Sequence, residues 1–158
     1  MLLTTAIKRI KNESHDISDE YSNEECVSLL NTAVQRVYGL MVGYGYPPIV
    51  REIDLHEDDS LPHNYMKSCG TYPIRVTNNI IHLLEDGVEY VRFRYFANPE
   101  MMVEDTEALP FDHDGVNEII LKVAVNLALN RNEYDISQDT ALLQDLQQAI
   151  AMGMGAGT

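Results

Sequence analysis

The sequence predicts an α+β fold, predominantly helical: a bundle of about four helices with a small antiparallel β-sheet inserted between the second and third. Two observations carry this expectation. Apolar residues recur at helical spacing in long segments on either side of a middle stretch, and only between about residues 49 and 98 do short β-branched and aromatic runs alternate with turn residues. A third bounds it: at 158 residues with 45% hydrophobic side chains, the chain can bury a real core. No internal repeat or second domain boundary is evident, so residues 1–158 read as a single domain. It comprises a β insertion over about 49–98, a C-terminal helix over about 137–152 and a flexible tail over 153–158.

The first helix is short. Ala6, Ile7 and Ile10 lie on one face behind Thr4 or Thr5, either of which can cap it, and the polar HDISDEY that follows breaks it. The second has a stronger start signal. Ser22 and Glu25 form an S-x-x-E capping box, and Tyr21 is placed to staple against Cys26. Cys26, Leu29, Leu30, Ala33, Val34, Val37, Leu40 and Met41 then give an amphipathic helix, which GYGYPP ends near Gly39 to Gly43.

In the middle stretch IVREIDL alternates, YPIRV is short and extended, and VEYVRFRYF is the best strand. Tyr90, Arg92, Arg94 and Phe96 would face one way, and Val91, Phe93 and Tyr95 the other. Glu85-Asp86-Gly87 reads as a hairpin turn, pairing IIHLL with VEYVRFRYF. An acidic linker follows Pro99. Val116, Ile119, Ile120, Val123, Ala124 and Leu127 then mark a third long helix, ending around Arg131. A last helix runs from about Ser137 through Leu142, Leu143, Leu146, Ala149 and Ile150, and Gly153 is its expected stop.

LPFDHDG, at Leu109 to Gly115, poses the sharpest chemical question. Set against a calcium loop with Gly115 at the invariant glycine, the first ligand position falls on Pro110 and the bidentate glutamate position on Leu121. A helix entrance fits better, with Asp112 as N-cap, Phe111 stapling onto Val116, and Pro110 preventing backward extension. HEDD at His56 to Asp59 reads as a solvated cluster. His82 reads as a half-buried sheet residue with no carboxylate near it in local spacing, and His15-Asp16 is a lone pair. Gly43-Tyr44-Gly45 is no nucleotide fingerprint, since Pro48 stands where the third glycine belongs. GxSxG, HExxH and GxxxxGK[ST] motifs are missing. The expectation is therefore no catalytic residues, no metal ligands and no cofactor.

A net charge of −14 argues against tight binding to a phosphate backbone, which needs Lys and Arg to displace counterions. It does not prevent standing beside DNA without holding it. Cys26 and Cys69 have no zinc-ligand spacing; a single disulfide stays open, but two reduced thiols in a cytosol fit better. No apolar run is long enough for a membrane span, and MLLTTAIKRIK has the wrong charge order for a secretory signal, so a soluble, unexported protein is expected. Abundant tyrosine, with Met101-Met102 and Met152 with Met154, suits either half-buried packing or contact surfaces.

Taken in order, the segments resemble the head-to-tail adaptor (connector, head completion) proteins of tailed bacteriophages. The resembling features are Leu30, Asn31 and Ala33 in the second helix, the Leu61-Pro62 step entering the sheet, the strand end Tyr95 to Pro99, and the second step at Leu109-Pro110. The resemblance implies a structural, non-enzymatic virion neck protein, made in the host cytoplasm. It would form a homo-oligomeric ring, usually dodecameric, that joins the portal protein to a head-closure or tail protein. DNA would pass through without specific binding, and no membrane would be involved. No inherited binding residues follow from so short a set of motifs. Two other classes stand beside it: a small acidic DNA-mimic that inhibits a nucleic-acid enzyme, and a metal-dependent hydrolase using His and Asp side chains.

Overall fold

The computed structural model describes residues 1–14, 21–130 and 134–156; His15-Asp16 lies outside them. The chain divides into two compact units: a helical one, Met1–Tyr44 with Pro99–Thr158, and a β unit, Gly45–Asn98. The expected mixed α+β class is observed. The helical unit contains α1 (Leu3–Glu13), α2 (Asn23–Gly43), α3 (Asp114–Asn130) and α4 (Thr140–Ala156). The sheet segments occupy the interval between α2 and α3 in sequence.

Helix α1 begins at Leu3, ahead of both expected threonine caps, and Leu2 precedes it with no side-chain cap. The reason is backbone pairing. The Leu3 N–H donates to the Glu107 carbonyl (3.0 Å) and the Leu109 N–H donates to the Met1 carbonyl (2.9 Å), so the first residues form a short antiparallel bridge with the end of the acidic linker. A backbone partner replaces the hydroxyl a cap would supply. Leu3, Ala6, Ile7 and Ile10 are buried, and Arg9 on the other side forms ion pairs with Glu13 and with Glu118 of α3.

Helix α2 starts as its sequence specifies. Ser22 Oγ accepts from the Glu25 N–H (3.1 Å) while the Glu25 carboxylate accepts from the Ser22 N–H (3.4 Å), completing the capping box. Tyr21 reaches across and donates its hydroxyl to the Ala128 carbonyl of α3 at 2.7 Å. Cys26, Val27, Leu30, Ala33, Val34, Val37, Tyr38 and Met41 are buried.

Helix α3 packs against α1, α2 and α4, and its buried set is correspondingly wide: Val116, Ile119, Ile120, Leu121, Val123, Ala124, Leu127 and Ala128. Its entrance corrects the expected cap by one residue. His113, not Asp112, precedes the helix: its carbonyl accepts from the Asn117 N–H (3.1 Å), and its Nδ1 faces the Val116 N–H at 3.4 Å. A Cβ at Gly115 would come within 2.7 Å of the His113 ring, so glycine gives that ring its room. Phe111 stacks on Tyr38, with ring centroids 6.0 Å apart. Its carbonyl accepts from Asn117 Nδ2 at 2.6 Å, and Asn117 is fully buried.

The final helix begins later than expected. Ile136–Gln138 forms a 3-10 turn, and Asp139 then caps α4 by accepting from the Leu142 N–H at 3.2 Å. Its backbone remains helical to Ala156, past Gly153, so the expected tail over 153–158 is helical for residues 153–156. Glycine costs a helix about 1 kcal/mol relative to alanine without having to end it.

The β unit holds β1 (Val50–His56), β2 (Tyr65–Ser68), β3 (Ile74–Thr77), β4 (Ile80–Leu83) and β5 (Tyr90–Ala97). One antiparallel sheet has the order β1-β5-β2, and β3-β4 forms a second, two-stranded one. The expected pairing of IIHLL with VEYVRFRYF is thereby overturned. Asn78 and Asn79 both take positive φ, 51° and 66°, and turn β3 directly into β4, the backbone that a two-residue hairpin loop requires. Strand β5 instead lies between β1 and β2. Its facing is as expected as far as Tyr95: Val91, Phe93 and Tyr95 are buried, while Tyr90, Arg92 and Arg94 are exposed; Phe96, expected on the face of Tyr90, Arg92 and Arg94, is buried, as is Ala97. Leu55, Ile81, Phe93, Tyr95 and Ala97 form the core, flanked by Tyr65 and Tyr72. Tyr72 meets Phe93 edge to face at 4.9 Å. On the outer face Arg92 pairs with Asp54 and Glu52, and Arg94 with Glu52.

Three outcomes check this description. Asn117→Ala removes the buried donor to Phe111 and should cost about 1–3 kcal/mol in urea unfolding followed by helical circular dichroism. Asp112→Ala, at an exposed residue outside the cap, should stay within about 0.5 kcal/mol of the parent. A third concerns Tyr134, whose hydroxyl donates to Asp139 (2.9 Å) and whose pKa is pushed up to about 12, by burial first and by that hydrogen bond second. An unfolded tyrosine ionises near pH ~10, so this contribution is whole below pH ~10 and is lost as pH rises through about 12. Tyr134→Phe should flatten the fall in stability across that window; an unchanged slope would assign the fall to other groups.

Candidate interaction surface

A groove of 570 Å³ lies on the helical unit, within the size range of ligand sites. Glu24, Val27, Ser28, Asn31, Thr32 and Gln35 of α2 form one wall, and Met101 to Glu104 of the acidic linker form the other.

Asn31 positions that second wall. Its Nδ2 donates to the Met102 carbonyl at 2.9 Å, and its Oδ1 accepts from the Met102 N–H at 2.8 Å. The side-chain amide thus takes the place of a neighbouring strand at one residue. Met102 is buried as a result, with 5% of its surface exposed, whereas Met101 and Val103 on either side are 71% and 62% exposed. The alternation is that of an extended segment. A local turn holds the next stretch: Thr106 Oγ1 accepts from the Val103 N–H (2.9 Å), and the Thr106 N–H donates to the Val103 carbonyl (2.9 Å).

The lining offers amide and hydroxyl groups, apolar side chains and two carboxylates, without histidine, cysteine or amine. Ser28 and Thr32 are coupled to each other through the helix, Thr32 Oγ1 donating to the Ser28 carbonyl at 3.1 Å. The arrangement is suited to contact and recognition. Paired exposed apolar residues beside a groove are the kind of surface that subunit contacts use.

The other residues singled out in the sequence are distributed as follows. His113 and Asp114 belong to the entrance of α3, Asp114 as its first residue. Cys26 is buried in the helical unit and Cys69 is half-buried in the β unit; the two are not joined in a disulfide. In HEDD, Asp59 Oδ2 accepts from the His56 N–H (2.7 Å) and lies 3.3 Å from His56 Nδ1. Glu57 turns to β4: its Oε2 accepts from the Leu83 N–H (2.7 Å), and its Oε1 lies 3.1 Å from His82 Nδ1. These bonds, the backbone one first, hold the Glu57 carboxyl below the usual carboxylate range. His82 therefore does have a carboxylate partner, which local spacing could not reveal because 25 residues separate the two.

Among the described residues, no helix is long and apolar enough to cross a membrane. Compared with known proteins, the chain matches no family model, and no curated protein matches it significantly.

Asn31→Ala should free the 101–104 segment from α2. Two lost hydrogen bonds predict a destabilisation of about 1–3 kcal/mol, together with faster amide exchange at Met102. Unchanged protection at Met102 in that variant would show that the apolar contacts alone hold the segment.

Proposed function

We propose that this chain is a structural neck protein of a tailed-phage virion, a head-to-tail adaptor. It forms a homo-oligomeric ring, on the family pattern a dodecamer, between the portal protein and a head-closure or tail protein. The observation that carries this reading is the ordered layout. A helical unit is interrupted between α2 and α3 by a β unit, and the chain re-enters it through an acidic linker and a Leu109-Pro110 step.

The residues behind the resemblance have physical tasks that suit it. Leu30 and Ala33 are fully buried. Asn31 fixes the linker. Tyr95 is buried and donates its hydroxyl to Asn64 at 3.0 Å, and the Asn98 N–H donates to the Asn64 carbonyl at 2.7 Å, securing the strand end. Leu109 is buried and bonded to Met1.

Charge placement supports the same reading. The helical unit carries 17 of the acidic residues against 6 basic ones, whereas the β unit carries 8 against 5. Surfaces of that sign repel phosphate, so DNA can slide past them without being retained. The concentration of acids also suits a DNA-mimic inhibitor, which is the second reading; it needs a nucleic-acid enzyme as partner and no ring.

Mass photometry of the purified chain, alone and with portal protein, separates the two. The adaptor reading predicts rings, either spontaneous or on portal addition. It also predicts that Met101→Glu with Val103→Glu lowers assembly at least about tenfold, the loss expected when apolar contacts worth more than about 1.4 kcal/mol are removed, with an unchanged circular dichroism spectrum. A chain that stays monomeric under both conditions, and instead co-purifies with a host nuclease or polymerase, would establish the mimic.

A further inference from the structure

The turn leaving β1 brings two carboxylates beside a histidine from another strand. One oxygen of Glu57, one of Asp58 and an imidazole nitrogen of His82 all lie within 4.8 Å of one another. Ligands held about 2.0–2.2 Å from a shared ion stand roughly 3–4 Å apart, and the Glu57 Oε1 to His82 Nδ1 separation is 3.1 Å. The remaining oxygen of Glu57 is engaged by the Leu83 N–H at 2.7 Å. Ligating carboxylates are held by outer hydrogen bonds of this type. His82 is the element that distinguishes this group from an ordinary acidic turn: it comes from β4, and it adds a nitrogen donor to two oxygens.

We propose that Glu57, Asp58 and His82 form a binding site for a divalent transition-metal ion of the zinc class. One imidazole and two carboxylates suit such an ion better than calcium or magnesium, which prefer all-oxygen shells. Solvent completes the coordination, since Glu57 and Asp58 are exposed and His82 is half-buried. The ion would tie the exit of β1 to β4 inside the β unit. Backbone bonds already join the same segments there: the Asp58 N–H donates to the Ile81 carbonyl (2.9 Å) and the Ile81 N–H to the Asp59 carbonyl (2.7 Å). The neighbouring His56 is engaged with Asp59 and forms no part of the cluster. Arg75, opposite His82 in the β3-β4 ladder, is the resident positive charge that an ion has to outcompete.

Calorimetric titration of the full chain with zinc chloride in a non-chelating buffer tests the proposal. One saturable site per chain is expected. His82→Gln should weaken it at least about tenfold, and Arg75→Gln should tighten it. Asp58 has φ of 67°, a conformation asparagine accepts readily, so Asp58→Asn removes the charge without disturbing the turn and should also weaken binding. That variant keeps the test decisive should His82→Gln fail to fold, as circular dichroism would show. Absence of saturable binding, or binding unchanged in both His82→Gln and Asp58→Asn, would overturn it.

Discussion

The helical unit depends on one side-chain amide. Asn31 sits within α2, where asparagine is a poor helix former because its side chain competes for backbone groups. Here that tendency is used on a different backbone, since both the N–H and the carbonyl of Met102 are satisfied by Asn31. A buried extended segment has to find partners for its backbone polar groups. This one finds them on a helix, and the acidic linker can therefore cross α2 without a sheet to receive it. The inward side chain of Met102 and the outward ones of Met101 and Val103 follow from that registration.

The same need explains the other end of the linker. Glu107 and Leu109 pair with the residues around Leu2, which both starts α1 without a capping side chain and delivers the chain to α3. At that entrance Asn117 reaches back to the Phe111 carbonyl, and His113 occupies the cap. The route from Pro99 to Asp114 is thus held at several points, by hydrogen bonds to both helices and to the N-terminal residues. The linker is a structural wall as well as a connection, and its exposed residues are presented in a fixed order.

What could be read from the sequence was local. The capping box of Ser22 and Glu25, the apolar faces of α2 and α3 and the alternation of β5 from Tyr90 to Tyr95 depend on residues within a turn or two of one another, and all are observed. Strand pairing was not legible, because the hairpin signal at Glu85-Asp86-Gly87 competed with Asn78-Asn79. Only the latter pair takes positive φ at two successive residues and returns the chain directly. The α3 cap was misplaced by one residue for a related reason: Asp112, His113 and Asp114 are all polar, and the choice among them depends on Asn117 and the room beside Gly115. Asn31 could be picked out, but its partner 71 residues away could not. The approach of Glu57 to His82 was hidden by the same kind of separation.

If the chain works in a virion neck, these features share a purpose. A helical unit with 17 acidic residues against 6 basic ones suits the neighbourhood of moving DNA, and an ordered linker with outward Met101 and Val103 suits contact between subunits. The central claim is that this chain is part of that assembly. A cryo-electron microscopy reconstruction of the neck in virions that encode it tests this most directly. The account predicts a ring of copies of this chain between portal and tail, with Met101 to Glu104 at a contact between subunits. Mature, infectious virions whose neck contains no copy of the chain would contradict it.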